Sequence, residues 1–244
     1  MYPEPVPAII LPDRKEKIAG WIYLPFYFLI LQLILLVIIS YAASLLDISA
    51  DNMTLTVHLN FIYGLINFCF AAIAFRRYLV RSARQIPKFV GRFFGALFGG
   101  FAIYMFGNMV MGLITQIISP AMENVNDANI EAMLSGGTLE IVIFTVIFAP
   151  LAEEVLFRGL IFTSLRTRSR ILAYIVTIVI FSAIHVLGYI GTESALSIFL
   201  SFIQYFPASF ALIWAMEFSG SIWASIGVHT LANGFSMLMM LLVA

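Results

Sequence analysis

The chain alternates long apolar runs with short polar segments. The runs cover residues 18–46, 54–75, 93–119, 138–165, 171–190, 194–216 and 221–243. Each reaches the roughly 20 residues that a helix needs to cross the hydrocarbon core of a bilayer. The pattern predicts an all-α, polytopic transmembrane helical bundle of about seven spans. Pro3, Pro5, Pro7 and Pro12 keep the first 13 residues out of regular helix, so they read as a short extended tail. Arg14, Lys15 and Lys17 then precede a run of 29 residues. A cleavable signal segment has only about 7–15 apolar residues, so this run is expected to be a retained span. Gly91, Gly95 and Gly99, at four-residue spacing, predict a close helix–helix approach, expected within the chain rather than between copies. Pro207 inside the sixth run predicts a kink.

Composition turns the pattern into a class. The 244 residues are 62% hydrophobic and 11% charged, against about 45–50% and 25% in soluble domains. An integral membrane protein is expected, in a bacterial plasma membrane. One cysteine, Cys69, excludes an internal disulfide and a cysteine-based metal cluster. The net charge is zero, but its distribution is polarised. Of 13 Lys and Arg, only Arg158 lies inside a run; the other twelve fall before residue 18, between 76 and 92, and between 166 and 170. Asp47, Asp51, Glu123, Asp127, Glu131 and Glu193 occupy the alternate loops. With seven spans all the basic segments share one face, which predicts a cytoplasmic N-terminus and an external C-terminus. Without a continuous basic face, nucleic-acid binding is excluded. The expected organisation is a cytoplasmic Pro-rich tail at 1–17, three spans at 18–137 and a four-span core at 138–244.

The fourth run carries the chemistry. It holds Glu153, Glu154 and Arg158, although one Asp, Lys or Arg at a helix centre costs about 2.5–3.5 kcal/mol on insertion scales. Glu154 and Arg158 stand four apart with the acid first, the favourable order for an ion pair on a helix. Glu153 points about 100° away and has Ala149, Pro150, Leu156 and Phe157 at the neighbouring helical positions. One glutamate thus has a local partner, and the other is left for the bundle.

Three histidines exist. His58 lies near an outer loop and is expected to form an interfacial hydrogen bond. His185 and His229 lie inside the fifth and seventh runs, with Asn233 one turn beyond His229. At about 1.5 Å per residue, Glu153, His185 and His229 lie roughly 20, 21 and 12 Å from the cytoplasmic ends of their runs. They are expected to share a polar layer between the midplane and that face. A carboxylate in such a layer is a good general base toward a bound water, with an imidazole to orient it. A second imidazole and a carboxamide can donate to the oxyanion of a tetrahedral intermediate. Alternatively Glu153, His185 and His229 could hold zinc, with a metal-bound water attacking. The residue types leave both open.

The segments Glu153-Glu154-x-x-x-Arg158, Phe181-x-x-x-His185 and His229-x-x-x-Asn233 resemble, in order and spacing, the three motifs of the CAAX-processing and bacteriocin-processing intramembrane proteases. This is the Abi family, or type II CAAX prenyl endopeptidases, and the resemblance covers roughly residues 138–240. It implies that Glu153 and His185 activate water and that His229 and Asn233 form the oxyanion site. Glu154, Arg158 and Phe181 become structural support. The family has been described both as metal-dependent and as using a metal-free glutamate mechanism. The metal-free form is slightly favoured here, with zinc as the alternative cofactor. The implied partner is a membrane-associated peptide or protein, cleaved near the cytoplasmic side. Residues 1–137 carry no family motif and are expected to form a gate and lateral wall. Nothing in the sequence sets an oligomeric state.

Two other readings compete. A non-enzymatic immunity or partner-binding protein is disfavoured because every motif residue that catalysis needs is present. A proton-coupled transporter is disfavoured because the ionisable groups cluster in one half, with no recurring pair of interrupted helices.

Overall fold

The computed structural model describes residues 7–46, 52–120 and 122–243. Pro3, Pro5, Asp47 and Asp51 lie outside the described residues. The protein is all-helical: among the described residues, an isolated bridge between Ile190 and Glu193 is the only β-type pairing.

Helix α1 (Arg14–Pro25) begins at a capping box in which Asp13 and Glu16 each accept the other's backbone N–H. Pro25 lacks the N–H that would continue the ladder, and a π-helical stretch over Phe26–Ile30 follows before α2 (Leu31–Leu46). Next come α3 (Met53–Ala74), the short α4 (Arg76–Ala83), α5 (Val90–Ile118) and α6 (Val125–Leu134). The motif-bearing run is one helical path in pieces. These are α7 (Thr138–Ile143), a π stretch over Phe144–Phe148, α8 (Ala149–Glu154), a second over Val155–Phe162 and α9 (Thr163–Arg166). Helices α10 (Arg170–Ile184), α11 (Ala195–Ser219) and α12 (Ile222–Val243) complete the bundle.

Among the described residues, four helices are long and apolar enough to cross a membrane: Met53–Ala74, Val90–Ile118, Ala195–Ser219 and Ile222–Leu242. The helical paths at 14–46 and 138–166 are at least as long but divided by π turns. Helix α10 has 15 residues and ends at Ile184, six residues short of the apolar run that predicted it. His185 occupies its C-cap, and Leu187–Tyr189 form a 3-10 turn. The apolar run misplaces this boundary because non-helical backbone at membrane depth is tolerated where it lines a polar cavity, and Leu187, Gly188 and Tyr189 line one.

The basic segments gather at one end. Gln85 donates to the Ala8 carbonyl, and Arg81 to Leu11 and to the buried Glu16. Arg166 and Arg170 both pair with Glu217 at the end of α11. Gly220, at φ +72°, stops α11 there, and its N–H returns to Met216. Ser82 then meets Ser221 at 2.9 Å, which ties α4 to the start of α12. The acidic loops gather at the other end, where Asn124 bonds Gln204, Ser201 accepts from Val125 N–H, and His58 lies 3.6 Å from Glu140.

The middle of the fourth path is the centre of packing, and all eight residues of Val155–Phe162 are buried. Helix α5 approaches α11 through glycines. A Cβ on Gly99 would meet the Trp214 ring at 2.9 Å, and one on Gly95 the Phe218 ring at 3.3 Å. Gly107 receives Pro207 in the same way. The contact is within the chain, as the spacing predicts, but Gly91 has open space and takes no part.

Candidate active site

Glu154 and Arg158 form the ion pair that their spacing predicts. Nη1 of Arg158 lies 2.9 Å from Glu154 Oε1, and both side chains are fully buried. The pair is embedded in a larger network. Arg158 Nη2 donates to Ser209 Oγ on α11, and the guanidinium lies 4.2 Å from the Phe181 ring centroid. Ser225 donates to Glu154 Oε2, and His229 Nδ1 lies 2.8 Å from Oε1. Glu154 therefore accepts from three side chains at once, as a buried carboxylate needs for its lone pairs to be met. It also fixes a ring, because His229 must present an Nδ1 proton to it.

Glu153 faces the other way, into a cavity of about 720 Å³. His185 Nε2 lies 3.9 Å and His229 Nε2 4.0 Å from Glu153 Oε2. That oxygen is buried without a hydrogen-bond partner among the described residues. His185 Nδ1 lies 2.7 Å from the Phe181 carbonyl, an acceptor only, so Nδ1 carries the proton. In the neutral ring Nε2 is then an acceptor facing a second acceptor, Glu153 Oε2. The gap is too long for a direct hydrogen bond and suits a water about 2.8 Å from each. Asn233 comes to the same cavity from α12, and its Nδ2 donates to the Thr145 carbonyl at 2.8 Å, within the Phe144–Phe148 π stretch. The second N–H on that nitrogen remains to serve another acceptor.

Residues 135–235 match the sequence model described as Rce1-like, type II CAAX prenyl endopeptidase. This segment is an Rce1-like domain. Comparison with curated proteins and with solved structures gave no match. The Rce1-like family is a protease family, and the domain contains Glu153, Glu154, Arg158, Phe181, His185, His229 and Asn233. Together with the four apolar helices, it makes the chain an integral membrane protein.

The Rce1-like domain does not enclose its cavity alone. Tyr27, Asn60, Tyr63, Tyr104 and Asn108 line it from the preceding helices. The Tyr27 hydroxyl lies beside the Glu153 carboxylate, and its backbone carbonyl accepts from Tyr63. Residues 1–137 thus supply groups to the cavity as well as wall. Tyr205 of α11 stacks on His185, centroids 4.2 Å apart and planes at 26°. Phe181 packs edge-on to Phe157 and lies against both histidines. Sequence reasoning identifies Phe181 by its motif but misses Tyr27, Tyr205, Ser209 and Ser225. Their only sequence signal is a polar atom within an apolar run.

Zinc bonds of about 2.0–2.1 Å place tetrahedral ligand atoms about 3.3 Å apart. The separations of Glu153 Oε2 from the two Nε2 atoms, 3.9 and 4.0 Å, are wider. Among the described residues no group of three or more His, Cys, Asp or Glu is arranged to hold a metal ion. The Glu153, His185 and His229 set thus does not fit a tetrahedral zinc site as placed.

Proposed function

We propose that the chain is an intramembrane endopeptidase of seven spans, with a cytoplasmic N-terminus, that hydrolyses a peptide bond of a membrane-associated peptide or protein. The observation that carries this reading is the orphaned Glu153 Oε2, held between the Nε2 atoms of His185 and His229 in a cavity. Glu153 takes a proton from a water that His185 Nε2 also holds, and the water oxygen attacks the scissile carbonyl carbon. The oxyanion that forms accepts from the free N–H of Asn233 and from His229 Nε2. For Nε2 to donate while Nδ1 serves Glu154, the ring carries both protons, and Glu154 is its counter-ion. The C–N bond then breaks as Glu153 passes its proton to the departing nitrogen, leaving a carboxylic acid and an amine, which become carboxylate and ammonium when the acid's remaining proton moves to the amine. No metal takes part in this scheme. The distinct hydrogen-bond environments of the adjacent glutamates support their division into base and counter-ion.

The test is peptidomics of membranes from cells expressing wild type or Glu153→Gln. Peptides produced by wild type should vanish in the variant, because an amide cannot accept the water's proton. An unchanged peptide set would overturn the assignment.

A further inference from the structure

The cavity runs from the catalytic groups in the middle of the bundle to one end of it. Its walls include Asn126 and Asp127 on α6, Leu187 and Tyr189 after α10, and Ser236 and Met240 late in α12. All belong to the end that carries the acidic loops. No lining residue comes from 76–92, 166–170 or 217–222, the segments at the basic end. That end is closed by its own contacts: Ser82 with Ser221, Trp223 Nε1 with the Leu79 carbonyl, and Arg166 and Arg170 with Glu217. The catalytic groups therefore open away from the basic face.

The wall chemistry is equally one-sided. Asn60, Asn108, Asn124, Asn126, Asn129 and Gln204 present carboxamides, which pair with peptide N–H and C=O groups alike. Among the described residues no Lys or Arg lines the cavity, whereas Asp127 does, and it is exposed. Such a wall repels anions and accepts neutral or cationic chain. The volume, about 720 Å³, suits a short extended segment rather than a single side chain.

We propose that the site is entered from the extracytoplasmic side, by an extended peptide that is uncharged or cationic where it enters. The substrate class is then exported or membrane-anchored peptides whose scissile bond is presented at the outer face, rather than the tails of cytoplasmic proteins. This rests on the peptidase reading and on the orientation given by the basic segments.

The experiment reads entry without needing cleavage. In a Cys69→Ala background, single cysteines are placed in the cavity (Asn108→Cys, and Ser236→Cys as a second position) and at the basic end (Lys88→Cys). Spheroplasts and inverted vesicles are treated with two membrane-impermeant methanethiosulfonates, one carrying a trimethylammonium group and one a sulfonate. The cavity cysteines should react in spheroplasts, with the cationic reagent about tenfold faster than the anionic one. Lys88→Cys should react only in inverted vesicles. Cavity labelling confined to inverted vesicles would overturn the side of entry, and equal or reversed reagent rates would overturn the charge preference. Adding Glu153→Gln to Asn108→Cys should leave labelling unchanged. Failure of the peptidase reading would appear in peptidomics while this labelling pattern persists.

Discussion

Glu154 and His229 are joined by a hydrogen bond of 2.8 Å between Oε1 and Nδ1, across 75 residues of chain. The same oxygen takes Arg158 Nη1 at 2.9 Å. One carboxylate therefore holds a buried guanidinium and sets the direction of an imidazole ring that faces Glu153. The adjacent glutamates divide the work by the 100° that separates neighbouring positions on a helix.

Breaking the buried pair should cost stability as well as activity. Removing one partner of a buried ion pair costs about 3–5 kcal/mol, because the other charge is left unpaired. Arg158→Ala and Glu154→Ala should both melt well below wild type in detergent, and both should lose cleavage. Glu153→Gln, which leaves the Glu154–Arg158 pair intact, should melt like wild type while losing cleavage. A Glu153→Gln protein as unstable as Arg158→Ala would show that the two glutamates are not divided as described.

Tyr205 should matter through its ring. It stacks on His185 at 4.2 Å, and aromatic contacts of this kind contribute about 0.5–1.5 kcal/mol beyond buried area. Tyr205→Leu should lower kcat about two- to tenfold on that scale. Tyr205→Phe should restore most of it, since the ring is kept. Equal losses in both variants would point to the hydroxyl instead.

The glycines of α5 should differ sharply in tolerance. A Cβ at Gly107 would collide with Pro207, while Gly91 faces open space. Over-packing of this kind costs about 1–3 kcal/mol, so Gly107→Ala should lower the melting temperature. Gly91→Ala should leave it unchanged or raise it slightly, since Ala is the better helix former. Thermal melts of the two single variants decide the matter.

Metal dependence can be read directly. Chelator should leave the cleavage rate unchanged within about twofold, and purified protein should carry well under one zinc per chain, given ligand spacings wider than a tetrahedral site. Inactivation by chelator, reversed by added zinc, would show that the three groups close around a metal.

The sequence by itself determined the helical class, the placement of twelve cations at one end and the Glu154–Arg158 pair. These are consequences of composition, of loop charge and of spacing along a single helix, all local properties. The motifs also identified Glu153, His185, His229 and Asn233, which the fold brings to one cavity. Only the tertiary structure decided what each group touches. That Glu154 serves His229, that Asn233 bonds the Thr145 carbonyl, and that Tyr27 and Tyr205 join the site depend on helices far apart in the chain. An apolar run is silent about which of its faces meets which neighbour. It is equally silent about where a helix stops inside a membrane. Helix α10 ends at Ile184 because a polar cavity is there to receive the backbone that follows, and that cavity exists only once seven other segments have closed around it.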